Sequence, residues 1–121
     1  MDQVACSMGG IVTIDFKDPG KPEIRKIEFD FSAQNYNLLV VNTGGSHADL
    51  TDDYAAVPAE IKAVANELGE DVLRGISNEQ LLSKISELRE MTGDRAILRS
   101  MHFIGDNDRV LDQVDALEKG D

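Results

Sequence analysis

The chain has 121 residues, of which 41% are hydrophobic and 29% are charged, and its formal net charge is −11 at pH 7. This length and composition predict one globular domain over residues 1–121 and exclude a disordered chain. The acidity argues against nucleic acid or an anionic membrane surface as a partner, because Lys and Arg supply the attraction to both.

The single cysteine and the hydropathy of the chain indicate the cellular compartment of the protein. Cys6 has no second cysteine to pair with, which is typical of a reducing environment, and its apolar and small neighbours predict a packed thiol. The longest strongly apolar run, residues 38–41, is far too short to span a membrane, and no signal peptide is visible. We therefore expect a cytoplasmic protein.

Three segments in the first third of the chain have the pattern of β-strands. Residues 11–16 are rich in β-branched side chains, and residues 24–31 alternate between apolar and charged positions. Residues 38–41 are apolar on both faces, which is typical of a central strand. The sequence therefore predicts three antiparallel strands.

After the third strand the apolar residues recur at helical spacing. The pattern predicts helices over residues 51–68, 77–92 and 94–119, and the second opens with a capping box at Ser77–Gln80. Pro58 is expected to delay or kink the first helix, because it has no backbone N–H to donate. Three antiparallel strands followed by three helices form an α+β fold.

The stretch between the third strand and the first helix concentrates polar side chains that could hold a small molecule. They are Thr43, Ser46, His47, Asp49, Thr51, Asp52, Asp53 and Tyr54. The histidine and the acids could form a metal cluster, but their spacing matches neither an EF-hand nor a zinc motif, so helix-associated acids are the preferred interpretation. No Gly-rich phosphate-binding motif occurs in the chain.

Two polar features lie within the third predicted helix. His102 stands next to the apolar stripe, which is typical of a core histidine, and residues 106–109 are typical of a solvated helix face. From composition and spacing alone, a fragment of a small-molecule enzyme and an acidic interaction module are both open.

Five short motifs nevertheless resemble, in order and spacing, the galactokinases of the GHMP kinase superfamily. They are Met1-Asp2-Gln3 with Met8-Gly9-Gly10; Leu39-Val40-Val41-Asn42-Thr43; His47 with Tyr54; Arg99-Ser100-Met101-His102 with Asp106-Asn107-Asp108-Arg109-Val110; and Leu117 to Asp121. The chain departs from the family at Val57-Pro58, where many galactokinases have two arginines, at Asp49 and Asp52, where neutral residues are common, and at Asp106, which replaces Glu.

The sugar-binding motif, the serine-rich loop around the nucleotide phosphates and the C-terminal Gly-rich motif of that family are absent from this chain. The family's enzymes are several times longer. We therefore expect an interior segment of a galactokinase-like enzyme, forming part of its ferredoxin-like C-terminal domain, with Met1 corresponding to an internal methionine.

The resemblance implies roles for two residues. Asp2 would be the catalytic carboxylate beside the anomeric hydroxyl of galactose, and Tyr54 would lie against the sugar ring; no role carries over to His47. The parent enzyme would use ATP and Mg²⁺ to phosphorylate C1 of galactose, whereas the isolated chain is expected to be inactive. The alternatives are a kinase of another sugar and a non-catalytic module that kept the fold.

The third predicted strand also leads to an expectation about assembly. A strand that is apolar on both faces requires neighbours on both sides, and the family supplies some of them from parts absent here. We expect a homo-oligomer, built around a two-fold axis, that covers the open strand edge.

Overall fold

The computed structural model describes residues 1–45 and 50–120. Its elements are α1 (Asp2–Met8), β1 (Ile11–Asp15), β2 (Glu23–Ile27), α2 (Thr51–Glu67), α3 (Asn78–Ser83), α4 (Ile85–Thr92) and α5 (Asp94–Lys119). The predicted α+β class is confirmed, but the described residues form two strands and five helices rather than three of each. The chain divides into two compact units, residues 1–41 with 110–121 and residues 42–109.

The first unit contains an antiparallel hairpin of β1 and β2. Ile11 lies opposite Ile27 at one end of this ladder. The connecting turn is closed by Asp18, whose carboxylate accepts the Gly20 N–H at 2.9 Å and whose carbonyl accepts the Lys21 N–H at 3.0 Å. This local bonding matches the turn chemistry of an Asp-Pro-Gly sequence.

The prediction of a strand over residues 24–31 is wrong at its C-terminal end, because β2 stops at Ile27. In the observed register the following residues would pair with residues 7–10. Those positions belong to the end of α1 and to two glycines with positive φ, so they offer no strand to pair with. The chain turns instead at Asp30, whose carboxylate accepts the Ser32 N–H at 2.8 Å.

The predicted third strand, Leu38–Val41, is also wrong. These four side chains are 75–99% exposed, and the described sheet consists of β1 and β2 alone. Apolar composition favours a strand, but a strand forms only when a neighbour accepts and donates its backbone hydrogen bonds. No other strand of the described chain lies beside this segment.

The helical predictions agree more closely with the structure. α2 begins at Thr51 and continues through Pro58, so the proline does not delay its start. α5 runs from Asp94 to Lys119 without interruption, as predicted. No helix in the described part of the chain combines the length and the apolar character needed to cross a membrane.

The second predicted helix is divided into α3 and α4 at Lys84, which has φ −112° and ψ 15°. The Lys84 N–H donates to the Leu81 carbonyl at 3.2 Å, an i→i+3 bond that tightens and ends α3. The predicted capping box is confirmed: the Gln80 N–H donates to Ser77 Oγ at 3.2 Å, and the Ser77 N–H donates to Gln80 Oε1 at 2.8 Å.

The second unit is built on a buried apolar core. Its buried members are Val64, Ala65, Leu73, Leu81, Leu88, Ala96, Ile97 and Ile104. The helical spacing of residues 77–92 predicts an apolar stripe of Leu81, Leu82, Ile85 and Leu88, but Leu82 and Ile85 are 45% and 39% exposed. Leu82 lies about 100° around α3 from the fully buried Leu81, so it is turned away from the core.

Candidate functional site

Asp2, the predicted catalytic carboxylate, lies in the first turn of α1 in the first unit. Its side chain is exposed, and α1 contains no buried residue. A carboxylate in the first turn of a helix is favoured by the partial positive charge of the N-terminal backbone N–H groups. Asp2 is therefore accessible to a ligand.

Tyr54, the predicted sugar-binding residue, lies in the first turn of α2 in the second unit and is 60% exposed. Its N–H donates to the Leu50 carbonyl at 3.0 Å, which anchors the start of the helix. Asp2 and Tyr54 belong to different units, so neither unit by itself contains the complete site that the resemblance implies. That pairing stays a prediction.

The polar loop before α2 is only partly described. His47 and Asp49 lie outside the described residues, so the metal cluster considered from the sequence is not tested there. Asp52 and Asp53 are exposed in the first turn of α2, where the helix dipole favours acids. Among residues 1–45 and 50–120, no three His, Cys, Asp or Glu side chains are grouped so that they could hold a metal ion.

Two predictions of burial are wrong. The His102 side chain is 70% exposed, and its Nε2 lies 3.1 Å from Asp106 Oδ2, one helical turn away. The buried face of α5 is set by Ile97 and Ile104, and His102 lies away from it on the exposed side. Cys6 is also exposed, since α1 buries no side chain.

The prediction of a solvated face over residues 106–109 is confirmed, because all four residues are exposed. Arg109 bonds to the Asp106 carboxylate, and that hydrogen bond lowers the pKa of Asp106 below its usual value. The polar run therefore does not interrupt α5, since its side chains pair with one another along the helix surface.

A cluster that the sequence did not indicate joins α2 to α5 within the second unit. Glu60 is held by two arginines: Arg95 Nε donates to its Oε1 at 2.9 Å, and Arg99 Nη1 donates to its Oε2 at 2.8 Å. The Glu60 and Arg99 side chains are only 20% and 22% exposed. The i, i+4 spacing of the arginines places them on one helix face, but no local pattern identifies a partner on another helix.

The arginines also change the titration of Glu60. The hydrogen bond from Arg95, helped by the charges of both arginines, lowers the pKa of Glu60 from its ordinary 4.5, although desolvation opposes the shift. The bridge should therefore stabilise the fold fully above the unfolded-state pKa and lose its contribution as the pH falls through the lower folded-state pKa.

We expect Glu60→Gln to lower the thermal unfolding midpoint at pH 7 and to have little effect at a pH below both pKa values, where the glutamate is also neutral. Circular dichroism melts of the two proteins across this pH range would measure the difference. Glu67→Gln is the control, because Glu67 is an exposed glutamate in the same helix. A midpoint difference for Glu60→Gln that does not vary with pH would contradict the assigned ion pair.

Each of the two units contains a cavity lined by described residues. The first, of about 850 Å³, lies beside β2, and the second, of about 260 Å³, lies between the segment after α2 and the face of α5 near residue 104. Neither is lined by Asp2 or Tyr54. The cavities therefore do not identify the predicted sugar site.

Comparison with known proteins identifies relatives. The chain is 36% identical over 87 residues to a galactokinase of Mannheimia succiniciproducens, covering 72% of this chain and 22% of that protein. It is 32% identical over 124 aligned positions to a galactokinase of Streptomyces coelicolor, covering all of this chain and 31% of that protein. A galactokinase of Glaesserella parasuis is 32% identical over 88 residues, covering 73% of this chain and 23% of that protein. No family model and no solved structure matches.

Together, the fold and these alignments identify the chain as an α+β segment related to the sugar kinases. More particularly, the chain is galactokinase-like, and the resemblance inferred from its five motifs is confirmed. It spans between about a fifth and a third of the length of the curated relatives that it matches.

Proposed function

We propose that this chain supplies the proton-accepting part of a galactokinase-like enzyme that transfers the γ-phosphate of ATP to C1 of galactose. The observation that carries the proposal is the alignment of the whole chain, at 32% identity, with the Streptomyces coelicolor galactokinase. Residues 1–121 would form one domain segment of the larger enzyme, within its ferredoxin-like region. The free thiol of Cys6 agrees with a place in the reducing cytoplasm.

Asp2 would accept or orient the proton of the anomeric hydroxyl. Phosphoryl transfer requires mainly positioning and charge stabilisation, together with one group that receives the proton of the attacking hydroxyl. An exposed carboxylate at the start of a helix can supply that group. Tyr54, which is 60% exposed, would contribute an aromatic face and a hydroxyl to the sugar.

The groups that usually bind ATP phosphates and Mg²⁺ are not found in the sequence motifs or the described residues of this chain. The sequence lacks a Gly-rich phosphate loop, and the described residues hold no group of three metal-ligating side chains. In this proposal other parts of the enzyme bind ATP and Mg²⁺.

The purified 121-residue chain should release no ADP from Mg-ATP in response to galactose, because it lacks the groups that hold the phosphates. A coupled ADP assay with and without galactose would measure this, with the Streptomyces coelicolor galactokinase as the positive control. Galactose-dependent ADP release above background would contradict the prediction.

A chimera tests whether this chain can supply the proposed part of an active enzyme. In it, this chain replaces the aligned segment of the Streptomyces coelicolor galactokinase. Galactose-dependent ADP release by the folded chimera would support the proposal, and a panel of other sugars would test the alternative of a different specificity. A chimera that folds and binds ATP but turns over no sugar would favour a non-catalytic module.

A further inference from the structure

The bridge from Glu60 to the two arginines of α5 fixes α2 close to its N-terminal turns. Both oxygens of the Glu60 carboxylate are bonded, Oε1 by Arg95 Nε at 2.9 Å and Oε2 by Arg99 Nη1 at 2.8 Å. Donors on both oxygens restrict the rotation of the carboxylate as well as its position. Glu60 and Arg99 are only 20% and 22% exposed, so these bonds are stronger than they would be in water.

The part of α2 before Glu60 lies outside the apolar core of the second unit. α2 contributes Ile61, Val64 and Ala65 to that core, whereas none of residues 51–59 is buried. Pro58 lies in this first part and has no backbone N–H, which weakens the helix there. We therefore expect the bridge at Glu60 to determine the direction of the turns that precede it.

Tyr54 lies in those turns, six residues before Glu60, and is 60% exposed. In an α-helix this spacing corresponds to about 9 Å along the axis and about 120° around it. The bridge therefore lies on a different side of the helix from Tyr54 and acts on it through the backbone of α2. A displacement of ~1 Å at a group that contacts a substrate is enough to weaken its action many-fold.

We propose that the bridge of Glu60 with Arg95 and Arg99 is a positioning device that holds the first turns of α2, and with them Tyr54, in the orientation that binds the sugar. Glu60 itself does not touch the sugar. The sugar contact of Tyr54 rests on the proposed function, but the fixing of the first turns of α2 by the bridge does not.

Amide hydrogen exchange of the full chain tests whether the bridge fixes these turns. The amides of residues 55–57 give the readout, because the first four N–H groups of a helix have no acceptor within it. Glu60→Gln and Arg99→Gln should each speed this exchange by ~5-fold or more, the scale of losing a charged hydrogen bond. Arg89→Gln is the matched control, because it removes an exposed ion pair with Asp94 outside α2. It should leave the amides of residues 55–57 unchanged.

A second control separates the bridge from a general loss of stability. Ile104 is buried in the core of the same unit, so Ile104→Val should lower the stability of that unit modestly. If the first turns of α2 open locally when the bridge is lost, Ile104→Val should not speed exchange at residues 55–57 as Glu60→Gln does.

The chimera with the Streptomyces coelicolor galactokinase tests the effect on the sugar. Glu60→Gln should raise KM for galactose by ~5-fold and change kcat less, because it loosens a residue that contributes to binding. Partial unfolding alone would reduce the amount of active enzyme, and with it the apparent kcat, without raising KM. Adding Glu60→Gln to Tyr54→Ala should raise KM no further, because the residue through which Glu60 acts is then absent.

The proposal is overturned if Glu60→Gln leaves exchange at residues 55–57 unchanged, if Ile104→Val speeds it equally, or if Glu60→Gln and Tyr54→Ala raise KM independently of each other. An unaltered chimera that folds and binds ATP but turns over no galactose contradicts the proposed function, and with it the role of the bridge at the sugar. An active chimera whose KM does not respond to Glu60→Gln contradicts the positioning role alone.

Discussion

Replacing Leu81 by alanine should destabilise the second unit by about 2–5 kcal/mol, the usual range for removing a fully buried leucine. Leu81 is 0% exposed and belongs to the core that joins α2, α3, α4 and the first half of α5. Truncation removes its apolar contacts and leaves a cavity that the surrounding helices fill only in part. A domain of this size has a total stability of only ~5–15 kcal/mol, so this change is a large fraction of it.

Urea unfolding followed by circular dichroism at 222 nm would measure the loss through the shift of the midpoint. Leu82→Ala is the matched control: Leu82 is the next residue in the same helix but is 45% exposed. It should cost much less, on the order of 1 kcal/mol or below. Equal losses for the two variants would contradict the assignment of Leu81, and not Leu82, to the core.

In the active chimera, Asp2→Asn should lower kcat by ~10²-fold or more, the scale of general acid–base groups. Asparagine keeps the size of the side chain but cannot accept the proton of the sugar hydroxyl. We expect KM for galactose to change less than kcat, because the loss concerns the transition state more than binding. Steady-state ADP release against galactose concentration separates the two parameters.

Asp112→Asn is the control for charge, since Asp112 is an exposed carboxylate on α5 outside the proposed site. It should leave both parameters unchanged. If the chimera with Asp2→Asn is as active as the unaltered chimera, the proton acceptor is another group and the role implied by the resemblance does not apply to Asp2.

The helices were predicted from the sequence with few errors. α5 has the predicted bounds of 94–119, the capping box at Ser77 forms as expected, and the apolar stripe of α2 reaches the core through Val64 and Ala65. A helix makes its hydrogen bonds between residues four apart, so its periodicity and its capping residues can be recognised in a short stretch of sequence. The relation to galactokinases was also read from the sequence, because it depends on the order and spacing of short motifs.

The tertiary structure alone decided the length of β2, the absence of a third strand from the described sheet, the exposure of Cys6 and His102, and the bridge from Glu60 to α5. Each depends on residues that are distant in sequence. β2 ends at Ile27 because the positions that would pair beyond it belong to α1 and the glycines that follow. Leu38–Val41 forms no strand because the described sheet contains only β1 and β2. Strand pairing and ion pairs between helices require a partner that is distant in sequence, and the alternation or charge of one segment does not identify that partner.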